Sequence, residues 1–381
     1  SVSSPNTRSY LDQKTSIALF QINAVGSDIQ FDLTYADVVM GFVPTVFPTV
    51  SEALAYSGPG DEVRVQGGMV SLDEHYVPAG VILSGGWNSD YTAQDPGNPS
   101  IIQGKNGHPA LELASSSQWT QISNFVVRAG YGANLLQPEN GFFGGGAYVN
   151  GTSARFTNVR FEDNSAGKPT DQVTRGGGIA AFDSELELID CSFANNQAQE
   201  GGAIYLYQSD AVITNSQFEG SALYNQLPMT EKRGGAILGI DGDLTLIDSS
   251  ITGYREAKKG GAIHLLGGHL SLQGCTVEDN VAVEDGGAVW MSGGDLNLSD
   301  TSLLGNGASV LGAAVYAEPV SVQWTGGEAV GNSCNGIGGA AYLDTDVPGN
   351  RVEGVFFSGN SDVIGAAALY LTGQSLSLIH I

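Results

Sequence analysis

The stretch GGAIHLLGGHLSLQGCTVEDN, residues 260–280, holds one complete folding unit. Gly260 and Gly261 open it, Ile263 and Leu265 alternate, Leu270 and Leu272 alternate again, and Val277 and Asn280 close it. Period-two alternation punctuated by glycines spells short strands joined by tight turns, and no apolar spacing of helical length interrupts it. Three strands this short cannot bury an inner face alone, so the unit has to stack on copies of itself.

Copies are present on both sides. Aligned on the third residue of the Gly-Gly signature, the positions are Ala147, Ile179, Ala203, Ala236, Ala262, Ala288, Ala314, Ala340 and Ala367, at intervals of 32, 24, 33, 26, 26, 26, 26 and 27. The alternating strand recurs as Leu186/Leu188, Ala211/Ile213, Leu244/Leu246 and Leu296/Leu298, each followed five residues on by an apolar side chain. Three residues after that position stand Asn164, Asn196, Asn280, Asn306, Asn332 and Asn360. Coils stacked about 4.8 Å apart pair every strand with its copy above and below. The fold is therefore expected to be all-β, a single-stranded right-handed parallel β-helix of the pectin-lyase-like kind. The asparagine column then reads as a ladder of side-chain amides joining coil to coil at a turn.

The long intervals mark insertions at Ser165–Arg175 and Ala222–Arg233. Before the repeat, TVSEALAY (Thr49–Tyr56) has helical spacing and would cap the open end of the stack, whose edge is otherwise unpaired. Strands near Glu62–Val65, Val81–Leu83, Ile101–Ile102 and Leu111–Leu113 would form the first coils. Residues 1–47 carry no repeat and are left unassigned; 48–381 form the β-helix. Ser375–Leu378 matches the start of another coil, so continuation beyond residue 381 is expected.

Composition narrows the function. Glycine makes up 54 of 381 residues without a three-residue period, which turns and close packing explain. Acids outnumber bases 40 to 15, for a net charge of −25, which excludes a nucleic-acid partner and suits a secreted or cell-surface protein. The apolar stretch from Val38 to Val50 contains Pro44 and Pro48 and is too short to span a bilayer. Cys191, Cys275 and Cys334 are too few and too scattered for a disulfide framework or a zinc site, and read as buried thiols.

The GGAI tetrads (Gly201–Ile204, Gly234–Ile237, Gly260–Ile263) are combined with FxxN tetrads (Phe161–Asn164, Phe193–Asn196, Phe357–Asn360). This pairing resembles the repeat of polymorphic outer membrane proteins, bacterial surface β-helices of which many are autotransported adhesins. The resemblance covers about residues 140–375. Val50–Gly104 is similar to the opening coils of bacterial pectin-lyase-like surface proteins. Together they imply a β-helical adhesin or passenger at the cell envelope.

Enzyme chemistry finds little footing. β-Helical glycoside hydrolases need clustered carboxylates to protonate the leaving group and activate water, and the chain contains no Asp-Asp dipeptide. The Ser-His-Gly and Arg-Ile-Lys motifs of polygalacturonase-like enzymes are missing. No cofactor is expected. Asp190, Asn215, Asp248 and Asp300 share a column that admits calcium, yet turn geometry alone calls for Asp and Asn there. His75, His108, His264 and His269 show no ligand spacing.

Two surface features stand outside the repeat's own needs. With Ile204 and Leu206 facing inward, alternation turns Tyr205 outward, and the same position in later coils holds Leu238, His264, Trp290, Tyr316 and Tyr342. Such a stripe is a platform for sugar faces or a partner protein, or else the rings stack on one another and are covered. The turn before each Gly-Gly gathers Lys168, Arg175, Lys232, Arg233, Arg255, Lys258 and Lys259, with six acids among them that make an ion-paired rim the plainer reading. The candidate ligand-binding residues are therefore Tyr205, His264, Trp290, Tyr316, Tyr342, Arg175, Arg233 and Lys258. The function expected is non-enzymatic adhesion to a polysaccharide, a cell-surface glycan or a protein, outside a bacterium or at its surface. A polysaccharide lyase or hydrolase, and a structural stalk of the envelope, are the alternatives.

Overall fold

A computed structural model describes residues 39–43, 47, 49–69, 76–105, 107–113, 115–135, 140–167, 173–220, 232–344, 350–372 and 376–379. They form a parallel β-helix. The strands that follow each Gly-Gly, such as Ile204–Tyr207, Ile237–Ile240 and Ile263–Leu266, stack into one eleven-stranded parallel sheet. The Leu-x-Leu strands and the short strand after each form a second long wall. A fourth set (Arg255–Lys259, Val281–Asp285, Gly307–Ala308, Ser333–Cys334) lines the corner before Gly-Gly. In-register pairing carries the repeat through the stack: Leu270 lies between Leu244 and Leu296.

The register corrects the sequence alignment at two places. Ile179 pairs with Ile204 and Ala341 with Leu369, so those coils span 25 and 28 residues, not 24 and 27. Gly176-Gly177-Gly178 and Ala366-Ala367-Ala368 offer neighbouring positions of nearly identical residue type, and sequence cannot choose among them.

Corners of the coil turn through left-handed backbone. Asp190, Asn215, Asp248 and Asp300 have φ of 48–54°, and Gly274 and Gly326 continue the column at 61° and 65°. Asp and Asn tolerate that conformation because their short side chains bond locally. Asn215 Nδ2 donates to Asp190 Oδ1 at 2.5 Å, so this column is built as a turn. At the Gly-Gly corner Gly260 has φ 64°, and a Cβ there would stand 2.2 Å from the Ile263 carbonyl oxygen. Only glycine fits.

The lumen is filled by the alternating residues the repeat places inward, including Ile263, Leu265, Leu270, Leu272 and Val277, all buried. Phe161, Phe193 and Phe218 stack coil on coil at 4.9 and 4.7 Å, nearly parallel. The asparagine ladder forms as expected. Asn306 Nδ2 donates to the Val277 carbonyl at 2.8 Å and to Asn332 Oδ1 at 3.1 Å, while its own Oδ1 accepts from Asn280 Nδ2 and N–H. Tyr254 interrupts the ladder, yet its N–H still reaches Asn280 Oδ1 at 3.0 Å. The three cysteines are free and buried, and burial pushes the Cys191 thiol up to about 12.

Val50–Tyr56 is a helix, capped where Thr49 Oγ1 accepts from the Glu52 N–H at 3.1 Å. Its buried Val50, Ala53 and Leu54 join the core that contains Val63 and Val77. Val39–Val43, in the segment without a repeat, pairs in parallel with the strand Glu62–Gln66. Leu376–Ile379 adds a strand beside Asn350–Glu353, as the matching sequence suggests. Among the described residues no helix is long and apolar enough to cross a membrane.

Candidate functional site

The outer face of the Gly-Gly sheet carries the column that sequence singles out. Parallel pairing places Tyr148, Ala180, Tyr205, Leu238, His264, Trp290, Tyr316, Tyr342 and Tyr370 directly over one another. From His264 onward the rings stack with centroids 4.2, 5.8, 5.3 and 5.2 Å apart and planes within 19° of parallel. The expected column therefore exists, residue by residue.

Of the two readings open to it, the structure shows rings that stack on one another and are largely covered. Tyr205, His264, Trp290 and Tyr316 are 1%, 2%, 6% and 5% exposed, and only Tyr342 and Tyr370 are partly open. The cause lies one turn earlier. The left-handed glycine at each corner folds the preceding residue back over the outer face, which creates a second column: Phe143, Arg175, Glu200, Arg233, Lys259, Asp285, Leu311 and Ile337. Arg175 lies over the rings of Phe143 and Tyr205 at 5.4 and 5.6 Å, and Lys259 over Trp290 at 4.8 Å. Phe143, Tyr148, Phe182, Tyr205 and Leu238 thus form an apolar cluster outside the lumen. A platform for sugars needs free ring faces, and from Trp290 to Tyr342 both faces of each ring are occupied by neighbours.

The candidate cations are engaged as well. Glu200, buried in the corner column, accepts from Arg175 Nε at 2.5 Å and from Arg233 Nε at 2.9 Å, and Arg233 Nη2 also closes on it. Lys258 faces Glu284 at 3.5 Å near the surface. The rim is ion-paired, as its mixed charges suggest. Residues 168–172 and 221–231, the middles of the two insertions, lie outside the described residues, as does His75. Exposed His269 meets Asp295 at 2.7 Å.

Burial, together with the charge of Arg233, drives the His264 imidazole down to about 3, so it is neutral at physiological pH. Tyr316 is pushed up by burial and by its hydrogen bond to Glu318. Among the described residues no group of three or more His, Cys, Asp or Glu is arranged to hold a metal ion.

Sequence reading missed the end of the corner column. After Asp285 it turns apolar with Leu311 and Ile337, and beside them Val310, Val363 and Ile364 are 46%, 75% and 70% exposed. Ile364 N–H donates to Gly336 O, which sets it against the Ile337 coil. The signal was available, since Leu and Ile replace Arg, Glu and Lys just before the paired small residues.

Stacked coils with GGAI and FxxN at fixed columns define a repeat-built parallel β-helix. The Chlamydia polymorphic membrane protein repeat matches residues 190–207, the span from the turn at Asp190 through Phe193, Asn196 and Gly201–Ile204. The match bears out the resemblance for the repeat itself. No curated protein matches the chain. Among solved structures, the chain is similar to the tailspike protein gp49 of Acinetobacter baumannii bacteriophage Fri1, a capsular polysaccharide depolymerase. Identity is 10% and the TM-score 0.32, over 88% of this chain and 62% of the tailspike chain, too remote to transfer an activity.

Proposed function

We propose that this β-helix is a non-enzymatic, adhesin-like protein, secreted by a bacterium or held at its surface, that grips a partner protein through the late coils of the Gly-Gly corner. The observation that carries this reading is the turn of the corner column to apolar residues, where Leu311 and Ile337 stand in line, Val310 beside them is 46% exposed and Tyr342 is partly open. Clustered apolar side chains rimmed by polar surface, with tyrosines at hand, have the make-up of a protein-binding patch. The repeat similarity and the net charge of −25 support a place outside the cell. A protein partner suits the patch better than a glycan, because the rings present edges where a sugar needs faces.

Beads coated with the chain should adhere to host-cell layers, and a Val310→Asp, Ile337→Asp double variant should lose that adherence with its circular dichroism unchanged. Val212→Asp, at an exposed site on the Leu-x-Leu wall, should keep it. Equal adherence of all three would remove the assignment. Unsaturated product from polyuronates incubated with the chain would replace it with a lyase.

A further inference from the structure

The same column supports a reaction that none of this requires. Tyr316, Tyr342 and Tyr370 are consecutive in the stack, with ring centroids 5.3 and 5.2 Å apart and interplanar angles of 15° and 19°. In-register parallel strands give the three side chains equivalent positions one coil apart, so each phenol ring has the next as its neighbour. Tyr342 and Tyr370 are partly open to solvent, while Tyr316 is 5% exposed. The early coils differ. There Tyr148 and Tyr205 are separated by the Ala180 coil, and each packs against Phe182 at 47° and 50° instead of against another tyrosine.

We propose that Tyr316, Tyr342 and Tyr370 form an oxidative cross-linking site, at which a one-electron oxidant of the peroxidase class joins adjacent coils through dityrosine. Each phenol of a pair loses one electron and one proton. The two phenoxyl radicals couple through their ortho carbons, and the ring protons at those carbons move to oxygen as both rings regain aromaticity. Hydrogen peroxide accepts the two electrons and two protons and leaves as two waters. The new carbon–carbon bond staples neighbouring coils. In a repeat stack held by nearest-neighbour interfaces, that blocks fraying where it forms.

The test uses the intact chain at high dilution with peroxidase and hydrogen peroxide. Dityrosine fluorescence should rise, and mass spectrometry should find the Tyr342 peptide joined to that of Tyr316 or Tyr370, lighter by two hydrogens than their sum. Tyr342→Phe keeps the ring and its packing but removes a phenol from both pairs, so the intramolecular product should fall to the level of the untreated chain. Tyr76→Phe, at an exposed tyrosine in the first coil of the same column with Glu112 as its neighbour, should leave the yield unchanged. An undiminished intramolecular yield in Tyr342→Phe overturns the proposal. So does an equal yield from the urea-unfolded chain, or a product made only between molecules.

Discussion

The corner column and the aromatic column run side by side through the whole repeat, and the early and late coils use them differently. From Phe143 to Arg233 the corner column seals its neighbour: Arg175 covers Phe143 and Tyr205, and Glu200 holds Arg175 and Arg233 together. From Leu311 onward the corner residues are aliphatic, Val310 faces solvent, and Tyr342 is partly open. Backbone geometry is the same in both stretches, because the glycine corner repeats at Gly201, Gly234, Gly312 and Gly338 with φ between 57° and 82°. The chain of causes therefore splits at the side chains. Glycine sets where the corner residue goes, and the identity of that residue decides whether the surface closes or stays available.

The strongest way to break the early half is Glu200→Ala. Arg175, whose side chain is 7% exposed, would lose its carboxylate inside a sealed layer. Removing one partner of a buried ion pair typically costs about 3–5 kcal/mol, far more than the pair itself contributes. A denaturation midpoint within error of the parent would mean that the triad does not close the early coils. A smaller effect separates the halves directly. Tyr205→Ala should cost roughly 3 kcal/mol, as expected for emptying a buried aromatic site, and Tyr342→Ala about half that because it is already partly open. Equal losses in paired urea titrations would erase the distinction between a sealed and an open stretch.

Most of the fold was legible because a repeat states each position many times over. Inward and outward faces, the asparagine ladder, the acidic turn column and the membership of the aromatic stripe all follow from period two combined with a 26-residue repeat. The register slipped only where three small residues in a row present the same chemistry at successive positions. Exposure of the stripe was not legible from alternation, which gives direction but not what comes to lie above. That depended on the backward fold of the residue before each left-handed glycine. One sequence clue did exist: Glu200 occupies the corner position between Arg175 and Arg233, where two cations one coil on either side invite a shared carboxylate.

Within the sealed stretch His264 yields an effect smaller than those of Glu200 and Tyr205, with the clearest sign. The imidazole stacks on Trp290 at 4.2 Å, lies next to Leu238 in the column and is 2% exposed. Burial and the nearby Arg233 hold its folded pKa at about 3, below the ordinary 6.5 that applies to the unfolded chain. A lowered histidine pKa means that the unfolded state binds the proton first. Stability is thus complete well above 6.5 and is lost as pH falls from there toward 3. Between pH 7 and pH 5 the loss assigned to this one group is roughly 2 kcal/mol. Carboxylates also titrate toward the acid end of that range, so the informative quantity is the difference from His264→Leu, which continues the column as Leu238 does and removes the proton site. Urea midpoints at pH 7 and pH 5 should fall further for the parent than for this variant. Parallel falls would show that the imidazole takes up a proton in the folded state, and that the column is not sealed at His264.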